Sequence, residues 1–230
     1  MNSSKKKMSG KAWLVPIGLL LLSAVPVLAG AMRIVELTSG AEITEANARF
    51  FASPLPVLAH IVSVTLYSLL GAFQFSAGIR HSRPRWHRLV GKWVLVPSGL
   101  VAALSGLWMT HFYPWPPSDG LLLYWMRLFF GTAMLLAIIW GALAAQRRDF
   151  AQHGAWMIRG YAIGLGAGTQ VFTHLPWLVL VGQEVPDELS RALMMGAGWV
   201  INLVVAEWVI WKRPSRRSHP TAAIGTADVA

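Results

Sequence analysis

Long apolar runs, separated by short polar segments, dominate the pattern of hydrophobic and polar positions along this chain. A helix needs about 20 apolar residues to cross the hydrocarbon core of a bilayer, and runs of that length recur. The predicted helices are residues 13–31, 55–77, 89–112, 121–145, 155–181 and 189–211. The pattern therefore predicts an all-α fold, a six-span transmembrane helical bundle with short loops, in which helices two to five form a central four-helix core.

The chain outside these helices is polar. Residues 1–12 contain several lysines, which predicts a cytoplasmic basic tail, and residues 212–230 begin basic and become small and polar, which predicts a disordered cytoplasmic tail. Residues 13–211 form the predicted transmembrane domain. The first apolar run also resembles a signal peptide, because Ala29-Gly30-Ala31 matches a small-residue cleavage site. Its length and the spans that follow favour a retained helix.

The positive charge lies between the apolar runs. The chain has a net charge of +10, 13% charged residues and no cysteine, whereas a soluble domain has about 25% charged residues. Lysine and arginine cluster before helix one and after helices two, four and six, which the positive-inside rule assigns to the cytoplasm. This distribution indicates a multi-pass protein with both termini cytoplasmic and with contacts to anionic lipids, not a nucleic-acid-binding protein. The absence of cysteine excludes disulfides and thiolate metal sites.

The histidines fall into two layers of the predicted bundle. The cytoplasmic layer contains His81, His87 and His153, and the outer layer contains His60, His111 and His174. An ionisable residue inside a membrane is a functional hypothesis in itself, and neutral imidazole ligates haem iron, zinc and copper. For His87 and His153, hydrogen bonding to lipid headgroups or helix ends at the interface is an equally open interpretation.

Small residues recur along single faces of the predicted helices. Helix five carries Gly160, Gly164 and Gly168, and helix three carries Gly91, Ser98 and Ser105. Such stripes indicate either close helix packing or room for a flat ring between helices, and the spacing leaves both interpretations open. Two charged residues, Arg159 and Glu207, fall at similar depth in their helices, which predicts a structural ion pair.

Several motifs resemble DUF2306, a bacterial family of predicted membrane proteins. The motifs are His60 with Gly71-Ala-Phe-Gln74, then Pro84-x-Trp-His-Arg88-x-x-Gly91, Ser105-Gly-Leu-Trp-Met-Thr110, Arg148-Asp-Phe-x-x-His153-x-x-Trp-Met-x-Arg159 and Thr169-Gln170. The resemblance extends over residues 55–211. It implies a location in the bacterial inner membrane, and such a family name gives no activity.

The chain is also similar, more distantly, to the ascorbate-reducible diheme cytochromes b, which have six spans and a histidine on each of four central helices. The similar part is helices two and three with the basic turn between them. The resemblance implies that His87 and His153 are axial ligands of one b-type haem and that His60 ligates another. Helix four has no histidine, so His174 or His111 would have to complete the second haem site.

Three functions stay open on the sequence. The first is a redox membrane protein that binds b-type haem through His87, His153, His60 and His174, with a quinone as candidate electron partner. The second is a metal-dependent membrane enzyme in which His60, His111 and His174 hold zinc or copper with an open coordination position. The third is a transporter or non-catalytic scaffold whose histidines only pack.

Overall fold

The computed structural model describes residues 11–182 and 184–213. Within these ranges the chain consists of helices and connecting loops and contains no strand. The predicted tails fall largely outside the described residues, at positions 1–10 and 214–230. The predicted all-α class is therefore confirmed for the described part of the chain.

The long helices alternate in direction through one bundle. In chain order the helices are α1 Lys11–Thr38, α2 Ala48–Ala52, α3 Pro54–Gln74, α4 Ala77–Ser82, α5 Pro84–Val90, α6 Val96–Phe112, α7 Leu121–Gln146, α8 Phe150–Gly164, α9 Gly166–Leu180 and α10 Glu188–Trp211. Five segments of the described chain are long and apolar enough to cross a membrane. They are Trp13–Thr38, Pro54–Gln74, Pro84–Phe112, Leu121–Gln146 and Glu188–Trp211.

The predicted fifth helix is broken in two. In place of one helix over residues 155–181, α8 and α9 meet at Leu165, and each contains 15 residues, fewer than the roughly 20 that a span needs. Glycine is a weak helix former, and Gly166 and Gly168 follow the break, where they let Trp199 and the α1 backbone approach closely. The predicted count of six spans is therefore not confirmed.

Other helix ends also differ from the prediction. α1 continues to Thr38, past its predicted end at residue 31, and α2 forms within the segment that leads to α3. The basic segment after α3 is helical as well, because α4 and α5 occupy most of it. α5 begins at Pro84, earlier than the predicted start at residue 89, because the fixed φ of proline suits the first turn of a helix.

One turn of the third long segment is π-helical. Gly91–Leu95 joins α5 to α6, and the N–H of Val96 donates to the carbonyl of Gly91, five residues back. A π turn of this kind lies inside an α-helix as a local bulge. The phase of the helix therefore changes between Gly91 and Ser98. Gly91 has no neighbouring atom within 4 Å of the position that a Cβ would take, whereas Ser98 and Ser105 are buried.

Buried residues of α3, α6, α7 and α8 belong to one apolar cluster, and side chains of α1 and α10 pack against it, so the predicted core of helices two to five alone is not confirmed. In this cluster two buried tyrosines fill the space beside the glycines. The ring of Tyr67 on α3 lies against glycines of α6 and α8, and the ring of Tyr161 on α8 lies against Gly71 on α3. The Tyr161 hydroxyl donates to the carbonyl of Ser68 at 2.6 Å. The flat rings beside these glycines are therefore the protein's own side chains.

Loop contacts define two ends of the bundle. The loops at one end are residues 39–53, 113–120 and 181–187, and this end is called the loop end. The turns at the other end are residues 75–83 and 146–149, together with the end of α10, and this end is called the basic end. At the loop end, the Tyr113 hydroxyl donates to the carbonyl of Ser53 at 2.5 Å. At the basic end, Arg213 lies beside Gly154.

Candidate functional site

A cavity of about 470 Å³ extends from the loop end toward the middle of the bundle. Most of its wall is apolar and comes from α1, α3, α6, α7 and α9. Its polar members include the side chains of Arg49, His60, Asp119, Arg127, Gln170 and Arg191. A volume of this size is typical of small-molecule sites, which are mostly apolar with a few placed polar groups.

His60 on α3 lines this cavity, and its tautomer is set by its neighbours. Nδ1 lies 3.0 Å from the carbonyl oxygen of Ala102 and 3.1 Å from Oγ of Ser105. A carbonyl only accepts hydrogen bonds, so Nδ1 carries the proton. Ser105 donates its own hydroxyl to Val101 and is free to accept. Nε2 of His60 therefore keeps its lone pair, and no described residue hydrogen-bonds to it.

Asp119 connects two helices at the loop end. Its carboxylate accepts from Nη1 of Arg127 on α7 at 2.6 Å and from Nε of Arg191 on α10 at 2.7 Å. Burial alone would raise the pKa of Asp119, but the two guanidinium groups outweigh burial and hold the pKa below its ordinary value. Asp119 is therefore ionised at neutral pH, and both of its oxygens are occupied.

Arg49 on α2 is the third arginine of the cavity wall. Nη1 donates to the carbonyl of Pro114 at 3.2 Å, and the guanidinium lies 4.7 Å from the ring centre of Phe50. Its buried Nε has no hydrogen-bond partner among the described residues. Burial lowers the pKa of Arg49. Attraction by Asp119 opposes this shift, and repulsion from the neighbouring arginines, among them Arg127 and Arg191, adds to it.

The other two histidines of the predicted outer layer do not line the cavity. Nδ1 of His111 lies 3.0 Å from the hydroxyl of Tyr124, and Nδ1 of His174 donates to the carbonyl of Gln170 at 2.7 Å. No three histidine, cysteine, aspartate or glutamate side chains within residues 11–182 and 184–213 are grouped to hold a metal ion. The zinc or copper site of His60, His111 and His174 stays a prediction that the geometry does not support.

His87 and His153 lie at the same end of the bundle, the basic end. His87 on α5 is within the range over which the charge of His153 on α8 acts on it. Nδ1 of His153 donates to the carbonyl of Gly141 at 2.8 Å, so its Nε2 keeps the lone pair. Nδ1 of His87 is buried and has no hydrogen-bond partner in the described part of the chain.

Arginines surround this pair of histidines. Arg80 and Arg88 lie close enough to act on His87, and Arg80 also acts on Arg213. Burial lowers the pKa of Arg213, and the charge of Arg80 lowers it further. The ion pairs of residues 11–182 and 184–213 include none of these three arginines. The basic end therefore presents uncompensated positive charge beside His87 and His153.

The sequence prediction missed part of the loop-end site. It singled out His60 but not Arg49, Asp119 or Arg191. These three residues belong to segments far apart in the chain, and no periodic pattern connects them. The only signal available was that each is a charged residue beside an apolar run, where an ionised group needs a partner.

The span-length helices and the ionisable residues enclosed among them define a multi-pass helical membrane protein. The chain belongs to DUF2306, a family described as predicted membrane proteins, whose sequence model matches residues 57–210. Comparisons with curated proteins and with solved structures gave no match. The resemblance to diheme cytochromes b is not supported by these comparisons, and haem binding stays a prediction.

Proposed function

We propose that this protein binds one b-type haem at the basic end, held by His87 and His153, and exchanges electrons in the membrane. One observation carries the proposal. The buried Nδ1 of His87 has no partner among the described residues, and His153 lies at the same end of the bundle within electrostatic range. A buried polar atom without a partner costs roughly 1–3 kcal/mol, and a bound haem would offset that cost if its iron took Nδ1 of His87 as a ligand.

His153 has the arrangement of a metal-ligating histidine. Ligating histidines commonly donate the second ring N–H to a backbone carbonyl or a carboxylate, which fixes the tautomer and the ring orientation. The bond from Nδ1 of His153 to the carbonyl of Gly141 has this form. His153 thus offers Nε2 without any rearrangement of its proton.

The arginines of the basic end suit the acidic groups of a haem. Haem propionates are carboxylates, and guanidinium groups bind carboxylates through strong charge-assisted hydrogen bonds. Arg80, Arg88 and Arg213 are partly or fully exposed at this end and have no carboxylate partner in the described chain. Anionic lipid headgroups would compete for the same arginines.

A bound haem supplies one-electron chemistry at a potential set by its ligands and its surroundings. The contribution of this chain is the rest of the site. Gly141 holds the proton of His153 on Nδ1, and the positive charges of Arg80 and Arg88 favour the reduced, less positive state of a nearby centre. A quinone in the bilayer remains the candidate electron partner.

A second haem between His60 and His174 receives less support. His60 lines the loop-end cavity, whereas His174 is not part of its wall. The rings of Tyr67 and Tyr161 fill the space beside the glycines of the core, so the glycines provide no separate reason for a flat cofactor there. The proposal therefore takes a single haem, and His60 and His174 stay predicted ligands only.

The same proposal includes an orientation. We place α8 and α9 together as one broken span, the fifth of six in chain order, because α8 packs against α7 and α10 while α9 packs against α1 and α10. The arginine-rich basic end would then face the cytoplasm by the positive-inside rule. Both termini would lie on that side of a bacterial inner membrane.

The test is an absorption spectrum of the protein purified after expression with ample haem. We expect a Soret band with low-spin features, lost in both His87→Ala and His153→Ala. His111→Ala at the loop end and His81→Ala in the same basic segment serve as matched controls and should keep the band. A haem-free wild-type protein, or a band that survives in both His87→Ala and His153→Ala, would contradict the proposal.

A further inference from the structure

The charges that line the loop-end cavity do not balance. Its charged side chains are the three cations Arg49, Arg127 and Arg191 and the single anion Asp119. Three positive charges and one negative charge leave an excess of two. A site that remains positive in a membrane protein has an unmet electrostatic preference for an anion.

The hydrogen bonds show which arginine is available. Arg127 and Arg191 each donate to one oxygen of Asp119, whereas Asp119 acts on Arg49 only through its charge. Arg49 donates to the carbonyl of Pro114 and lies over the ring of Phe50, and its buried Nε has no hydrogen-bond partner in the described chain. A guanidinium fork matches carboxylate and phosphate oxygens in geometry. Arg49 is therefore the main anion contact that the cavity offers.

The rest of the cavity suits an apolar body. Below the arginines, the wall is formed by side chains such as Ile61, Val64, Phe130, Met134 and Ile163. Inorganic phosphate would leave this part unfilled, and a neutral hydrocarbon would leave the arginines without a counter-charge. Nε2 of His60 adds one hydrogen-bond acceptor in the same wall.

We infer that the loop-end cavity binds an amphipathic acid, a molecule with one carboxylate or phosphate group on an apolar body. The anion lies at Arg49, beside the Arg127–Asp119–Arg191 cluster, and the apolar body extends toward His60. The ligand is either a free acid or an anionic lipid, since both present the same chemistry. This inference uses none of the residues that hold the proposed haem.

The first experiment compares an acid with its neutral counterpart. The full-length protein in a non-ionic detergent is heated with octanoate, octanol or sodium phosphate, and the unfolding midpoint is followed by tryptophan fluorescence. A ligand that binds only the folded state raises the midpoint by mass action. We expect octanoate to raise it in proportion to concentration, with octanol and phosphate giving little change. Equal effects of octanoate and octanol would overturn the inference.

Variants then assign the effect to the cavity. Arg49→Gln removes the available cation, and we expect its apparent affinity for octanoate to fall at least tenfold. Arg85→Gln is the matched control at the basic end and should bind as the wild type does. Thr65→Phe narrows the apolar part without touching an arginine and should also weaken binding. Thr65→Phe still tests whether octanoate binds in the cavity if Arg49→Gln does not fold.

The last arm separates the two sources of the acid. The protein is reconstituted in discs of phosphatidylcholine with or without phosphatidylglycerol, and the same midpoints are measured. Stabilisation by phosphatidylglycerol that depends on Arg49 identifies a lipid headgroup as the anion. Stabilisation by octanoate alone identifies a free acid. If Arg49→Gln and Thr65→Phe respond to both compounds as the wild type does, the cavity is not the binding site and the inference fails.

Discussion

Arg159 on α8 forms a two-point ion pair with Glu207 on α10. Nε of Arg159 lies 2.5 Å from Oε1 of Glu207, and Nη2 lies 2.8 Å from Oε2. The pair is on the outer surface of the bundle, because the side chains of Arg159 and Glu207 are 28% and 52% exposed. The prediction of this ion pair from the sequence is confirmed. Its position means that the pair connects α8 to α10 at the lipid-facing side.

We expect Arg159→Gln and Glu207→Gln each to lower the stability of the detergent-solubilised protein. Each change leaves one charge without its partner, and because the pair is partly exposed we expect a loss of about 1 kcal/mol or less. The double variant should recover part of the loss, because neither charge then remains. The measurement is a double-mutant cycle on thermal unfolding midpoints. Additive losses would argue that the two side chains do not interact in solution.

Asp119→Asn should destabilise the loop end. The change leaves Arg127 and Arg191 facing each other without the carboxylate between them, and we expect a loss of about 1–3 kcal/mol at neutral pH. Glu42→Gln, in an exposed loop at the same end, is the control and should leave the midpoint unchanged.

A comparison of wild type with Asp119→Asn also predicts how stability changes with pH. The folded-state pKa of Asp119 is lowered by its arginines, so its contribution is present above the unfolded pKa of roughly 4 and is lost as pH falls through the folded value. The stability difference between wild type and Asp119→Asn should therefore shrink as the pH falls from about 5 to about 3. A difference that stays constant over that range would show that the charge of Asp119 contributes nothing.

Gly168→Ala should weaken the contact between α9 and α1. A Cβ at this position would come within 3.0 Å of the carbonyl carbon of Leu22, and a backbone cannot move aside as a flexible side chain can. Overpacking of this kind typically costs about 1–3 kcal/mol, read as a lower unfolding midpoint. Gly18→Ala on α1 is the control, because no atom lies within 4 Å of its added Cβ. Equal midpoints for the two variants would mean that α1 does not pack on α9.

Reporter fusions test the proposed orientation and the broken span together. Fusions after Ser82 and Arg148, at the basic end, should report the cytoplasm, and fusions after Gly40, Ser118 and Val185 should report the outside. The Val185 position decides whether α8 and α9 cross the membrane, since a cytoplasmic signal there would leave five spans. A cytoplasmic signal at Ser118 would reject the whole orientation.

Length and apolarity were sufficient to predict most of the helices. The segments around α3, α7 and α10 agree with the prediction to within a few residues, because long apolar runs leave few alternatives. The Arg159–Glu207 pair was also predictable, since two ionised groups at one depth in a bilayer have few other partners. These are consequences of burial and charge that a single sequence displays directly.

Features that depend on packing were not predictable in this way. The break at Leu165 depends on glycines that allow Trp199 and the α1 backbone to approach closely. The composition of this segment indicates only a continuous apolar run. The cluster around Asp119 depends on Arg191, which is 72 positions further along the chain. The glycine stripes are compatible with close helix packing or with a flat cofactor, and only the position of the Tyr67 ring beside them distinguishes the two. In each case the missing information is which distant side chain fills the space.

The π turn at Gly91–Leu95 contains one residue more than an α-turn, so the phase of α6 relative to α5 depends on it. Inserting or deleting one residue in the α-helical part that follows would rotate the rest of α6 by about 100°, the angle per residue of an α-helix. His87 would stay at the basic end, but the carbonyl of Ala102 would turn away from Nδ1 of His60. Deleting one residue within the π turn would instead close the bulge into an α-turn and would leave this hydrogen bond of the loop-end cavity in place. The π turn is therefore a position in this segment where a change of chain length does not disturb the cavity.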